Sequence, residues 1–125
     1  MATSRRVRRV ASQVVQDVGQ ILRSRVNDPD LDFVTITRAH VSGDLRHVRL
    51  MWAVLGGDEE IRTAQQALTR ASRYIRRELG AVLQLRYTPE IEFAVDLAYL
   101  EGQAVIDTLR EFDAEGFDSL SDSGG

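Results

Sequence analysis

The chain has 125 residues, enough for one domain with a modest core, and its 43% hydrophobic and 28% charged content is that of an ordinary globular protein. With no cysteine, disulfides, thiolate metal sites and cysteine nucleophiles are excluded. No apolar run approaches the roughly 20 residues of a membrane span, and "MATSRRVRRV" lacks the apolar centre of a signal peptide, so a cytoplasmic location is expected.

Ser4 is the expected N-cap of a first helix, with Val7, Val10, Ala11, Val14, Val18, Ile21 and Leu22 at helical spacing. The helix should stop before "NDPD", because Pro29 disfavours helix at Asp28. "FVTITRAHV" then reads as a strand whose apolar positions, Val34 and Ile36 followed by Ala39 and Val41, change phase midway and so predict a bulge. "SGDL" supplies turn chemistry, and "RHVRLMWAVL" places Val48, Leu50, Trp52 and Val54 on one face of a second strand, completing a hairpin.

"GGD" ends that strand and offers Asp58 as the cap of a long helix. Its apolar line runs from Ile61 and Ala64 through Leu68, Ala71, Ser72, Ile75 and Leu79 to Val82 and Leu83, with Gly80 as a kink or cap. "EIEFAVD" alternates Ile91, Phe93 and Val95 against Glu90, Glu92 and Asp96, which predicts a third strand with a solvated acidic face. A short helix through Val105, Ile106, Leu109 and Phe112 is the optional last element. Residues 1–112 read as one α+β domain, a three-stranded sheet with helices on one face. Residues 113–125, acidic and Ser/Gly-rich, read as a disordered tail.

The net charge of -3 conceals a bipolar distribution. Residues 1–25 and residues 61–86 each hold six arginines against one acid, whereas the segments after them are acidic. On the long helix Arg62, Arg70, Arg73, Arg76 and Arg77 share one arc beside the apolar line, and Arg5, Arg6, Arg8 and Arg9 open the first helix. That second placement opposes the helix dipole. Arg46 in the hairpin and Arg86 beyond the long helix extend the set. Every basic side chain is arginine, whose fork matches phosphate oxygens. A cationic surface of one sign, on two helices, points to nucleic acid. Tyr74 beside the arc and Tyr87 beyond the helix are stacking candidates that serve equally as packing residues.

Other chemistry is poorly supplied. His40 and His47 are expected opposite each other across the hairpin, but no further His or Cys exists to complete a metal site. Ser42 and Asp44 lack the strained elbow that a nucleophile requires and read as turn caps. Neither GxxxxGK nor GxGxxG occurs. An enzyme or a cofactor is therefore not expected; the competing class is an adaptor whose arginines meet an acidic protein.

The runs "RRVASQV", "VNDPDLDFVTIT", "VSGDLRHVRLMWAVLG", "ASRYIRRELG" and "LRYTPEIEFAVD", in that order from about Arg5 to Phe112, resemble the ribosome-binding factor A family. The resemblance implies a KH-like fold of the type II arrangement, helix-strand-strand-helix-strand, in which an Ala-x-Gly kink in the long helix replaces the usual GxxG loop. It implies no catalysis, and a monomer that binds the immature small ribosomal subunit at its 16S rRNA. It further implies support for rRNA processing and growth in the cold, with release assisted by a GTPase. The Ala-x-Gly falls here on Ala71, Ser72 and Arg73, so the glycine that would ease a kink is replaced by a bulky cation.

Overall fold

In the computed structural model, residues 3–102 are described. The first helix, α1, spans Ser4–Ser24 and is capped by Thr3 rather than Ser4. The Thr3 hydroxyl accepts the Arg6 N–H at 3.2 Å, the reach from cap to third helical residue that satisfies an orphan donor. Val14, Val18, Ile21 and Leu22 form its buried stripe. Pro29 then opens a single 3-10 turn, Pro29–Leu31, capped by the Asp28 carboxylate, and that turn drives Leu31 into the core.

Strands β1 (Val34–Val41) and β2 (His47–Val54) pair antiparallel. The register runs from Val34↔Val54 to Ile36↔Trp52 and resumes at Arg38↔Met51, leaving Thr37 as the extra residue of a bulge. The predicted change of phase has that origin: Val34 and Ile36 before the bulge and Ala39 and Val41 after it all pack on the core. The turn sits one residue later than "SGDL" suggests. Ser42 pairs with His47 through its N–H, which donates to the His47 carbonyl at 2.9 Å, and Leu45 takes a left-handed φ of 62°. His40 therefore faces Arg49, not His47; the two histidines share the outer face only as diagonal neighbours.

Helix α2 spans Asp58–Val82, and its cap is Gly57 rather than Asp58. Glu60 folds back to accept the Gly57 N–H at 2.6 Å, the reciprocal half of a capping box, while glycine has no side chain to supply the other half. The helix is unbroken through Ala71, Ser72 and Arg73, and Ser72 turns its hydroxyl onto the Thr69 carbonyl at 2.8 Å. Gly80 lies inside the helix and does not cap it; the cap is Leu83. A Cβ on Gly80 would lie 2.7 Å from Oγ1 of Thr88, so glycine is what lets the following connector close against the helix.

Strand β3 (Glu90–Val95) returns parallel to β2, giving the order β1-β2-β3 with α2 as the crossover. α1 packs on β1, and α2 packs on β3, on β2 and on α1, so both helices cover one face of the sheet. Between them lie the fully buried Val14, Val18, Leu50, Trp52, Leu68, Ile75 and Leu79. Each such side chain contributes about 1.5–3 kcal/mol by leaving water. This is the KH-like, type II order of helix-strand-strand-helix-strand.

The chain divides into two compact units, Met1–Val95 and Asp96–Gly125. Glu90 and Glu92 are exposed as the alternation requires, but Asp96 is buried and belongs to no solvated face. Its carboxylate accepts the Tyr99 N–H at 3.0 Å and so caps the helical residues 97–102. The optional helix through Val105 to Phe112 and the acidic tail 113–125 lie outside the described residues.

Candidate nucleic-acid interface

The arginines singled out by the sequence fall into three groups once their neighbours are known. Arg76 and Arg70 are structural. The Arg76 Nε donates to the Pro89 carbonyl and Nη2 to the Thr88 carbonyl, both at 2.9 Å, with Glu90 at 3.5 Å. Its fork therefore holds the connector that leads into β3. Arg70 reaches Asp28 at 3.6 Å and Asp30 at 3.7 Å, tying α2 to the 3-10 turn. Sequence periodicity put both on the cationic arc, and nothing local reveals their partners.

A second group converges. Arg73 and Arg77 of α2, Arg86 of the connector and Gly80, Tyr87 and Thr88 line one open groove of about 520 Å³, to which the carbonyl-bound Arg76 also contributes. Arg6 at the start of α1, Asp44, Leu45 and Arg46 at the hairpin tip, and Leu85, Arg86 and Tyr87 line a second of about 420 Å³. Arg86 and Tyr87 belong to both. Four separate pieces of chain thus deliver guanidinium groups to one surface, and among the described residues no carboxylate forms an ion pair with Arg6, Arg46, Arg73, Arg77 or Arg86. Three of them, Arg46, Arg77 and Arg86, have aromatic partners instead. The Arg46 guanidinium lies 4.5 Å from the centre of the Tyr87 ring, Arg86 lies 5.5 Å from the same ring, and Arg77 lies 5.5 Å from the Tyr74 ring. Such contacts orient an arginine while leaving its hydrogens free for another acceptor.

The remaining cations, Arg5, Arg8 and Arg9 on the first turns of α1 and Arg62 near the start of α2, are exposed and line neither groove. Of the kink residues, Ala71 packs against the core and Arg73 alone contributes to the groove.

On the outer face of the sheet a third hollow gathers His40, Ser42, His47, Arg49, Glu90 and Glu92. Arg49 and Glu92 form an ion pair there, so that face is mixed in sign. The Ser42 hydroxyl donates to Asp44 Oδ1 at 2.6 Å and the Arg46 N–H donates to the same oxygen at 3.0 Å. These bonds, the serine's first, hold the Asp44 carboxyl below its ordinary value and shape the hairpin tip that carries Arg46. Among the described residues no group of three or more His, Asp or Glu is placed to hold a metal, and no helix is long and apolar enough to cross a membrane.

Residues 6–109 match the family model described as ribosome-binding factor A. A ribosome-binding factor A of Trichlorobacter lovleyi is 40% identical over 103 residues, 82% of this chain and 84% of that one. The solution NMR structure of a Thermotoga maritima protein, named as a candidate ribosome binding factor A, superposes with a TM-score of 0.65 at 28% identity, covering 75% of this chain and 90% of the other. The crystal structure of ribosome-binding factor A from Thermus thermophilus gives a TM-score of 0.62 at 22% identity over 70% and 92%. Thermus thermophilus coordinates fitted into the cryo-EM map of a complex of that factor with the 30S subunit give a TM-score of 0.56 at 23% identity over 67% and 88%.

Proposed function

Because this chain belongs to the ribosome-binding factor A family, we propose that it binds the small ribosomal subunit through its 16S rRNA and assists the maturation of that RNA. The observation that carries the reading is the convergence of Arg6, Arg46, Arg73, Arg77 and Arg86, free of ion pairs among the described residues, on one surface. Guanidinium forks presented from several elements suit phosphates, which fix orientation and affinity while carrying little sequence information. The fitting of a related factor into a 30S complex supports the same partner. No catalytic step is needed for this role. The protein acts as a cytoplasmic monomer, its contribution matters most in the cold, and a GTPase assists its departure; these parts rest on the family resemblance.

Replacing both Arg73 and Arg77 by Glu tests the reading. Both side chains are exposed, so the cooperative melt should survive. Affinity for small subunits should fall by at least roughly tenfold, about 1.4 kcal/mol. The dependence on salt should weaken by nearly one unit of slope for each lost phosphate contact. A folded double variant that co-sediments with small subunits as the parent does would place the binding surface elsewhere.

A further inference from the structure

Between the two arginine grooves stands Tyr87, and the way it is held goes beyond phosphate binding. The ring is 50% exposed, although it sits in a connector whose backbone is held on its C-terminal side. Arg76 grips the carbonyls of the next two residues. Thr88 is seated against Gly80, where any side chain would collide. The Glu90 N–H donates to the Arg46 carbonyl at 2.8 Å, joining the connector's end to the hairpin tip. Arg46 and Arg86 lie against the ring itself. An exposed aromatic pinned this firmly loses little freedom when something stacks on it.

We propose that Tyr87 is a stacking platform for one unpaired RNA base, with the flanking phosphates of the same strand held in the grooves on either side. The ring lines both grooves, so a strand running from Arg73 and Arg77 towards Arg6 and Arg46 must cross it. A duplex keeps its base faces stacked internally and offers only backbone and groove edges, whereas a single strand can turn a base onto an aromatic ring. The ligand class is therefore single-stranded RNA, or an unpaired bulge or end in a folded one. This inference rests on the RNA-binding reading above and adds to it a preference for unpaired nucleotides.

The test compares full-length protein and its Tyr87→Ala, Tyr87→Phe and Tyr87→Leu variants on two probes. One is a single-stranded RNA of about 10 nucleotides carrying 2-aminopurine, and the other is a duplex of the same length. The parent should prefer the single strand and quench the 2-aminopurine. Tyr87→Ala and Tyr87→Leu should lose roughly tenfold or more on the single strand, lose the quench, and change little on the duplex. Tyr87→Phe should retain both, because stacking needs the ring and not the hydroxyl. Thermal melts check that each variant folds, as a half-exposed site allows. Equal losses on both probes, or an undiminished quench in Tyr87→Ala, would overturn the platform and leave the phosphate surface standing. Failure of the parent to bind either probe would overturn both readings.

Discussion

The indole Nε1 of Trp52 donates to Oε1 of Gln65 at 3.0 Å, and the amide of the same Gln65 donates to the Phe93 carbonyl at 3.2 Å. One polar side chain of α2 therefore serves a fully buried indole of β2 and the backbone of β3 together. Gln65→Ala leaves the indole N–H without its acceptor, at a cost of about 1–3 kcal/mol. Denaturant unfolding followed by Trp52 fluorescence measures this, and a loss below about 0.5 kcal/mol would mean that another acceptor replaces the amide.

Gly80→Ala sets two effects against each other. Alanine gains about 1 kcal/mol of helix propensity over glycine, but its Cβ would lie 2.7 Å from Oγ1 and 3.0 Å from Cγ2 of Thr88. Thr88 cannot easily retreat, because its carbonyl is bound to Arg76. Overpacking of this kind costs roughly 1–3 kcal/mol, so the net change should be destabilising. Gly80→Ala combined with Thr88→Ala should recover most of the loss in the same denaturation experiment.

Arg76→Ala should behave as a structural change. Its two bonds to carbonyls are charge-assisted but lie partly in solvent, so about 1–2 kcal/mol of stability is expected to go with them. Arg76→Lys should recover little, since one ammonium cannot reproduce the fork that spans two carbonyls. Thermal unfolding of the three proteins separates these outcomes from the binding defect expected at Arg73 and Arg77.

The carboxyl of Asp44 should titrate below its ordinary value of 3.8, because the Ser42 hydroxyl, first, and the Arg46 N–H favour its charged form. With the folded value depressed, its contribution to the hairpin tip is complete above the unfolded value and disappears as pH falls through the folded one. An NMR titration of the Asp44 carboxyl gives the midpoint. Ser42→Ala should move it back towards 3.8.

What the sequence made legible was periodicity. The 3.6-residue stripes of both helices and the changed phase at Thr37 are local patterns, and the structure reproduces them. Partnerships between distant residues were not legible. Arg70 and Arg76 look like Arg73 and Arg77 on a helical projection, yet their fates are decided by Asp28 and by the Thr88 and Pro89 carbonyls, which only the tertiary fold brings near. The facing of His40 and His47 failed by one turn residue, because Ser42 joins the pairing and Leu45 adopts a left-handed conformation that composition does not announce. Asp96 continued the alternation of β3 on paper, but it caps the next helical turn instead.

Parallel pairing of β2 with β3 also fixes an order of events when the chain is made. α1, the hairpin and α2 are all synthesised before Glu90–Val95. Until β3 arrives, β2 presents a bare edge of unpaired N–H and C=O groups, flanked by the apolar Leu50 and Trp52, and such an edge templates association with other chains. A chain cut just before Glu90 should therefore aggregate rather than persist as a smaller folded domain. In the complete chain β3 takes over the edge, and it is the shortest of the three strands and carries the exposed Glu90 and Glu92, features that discourage further pairing.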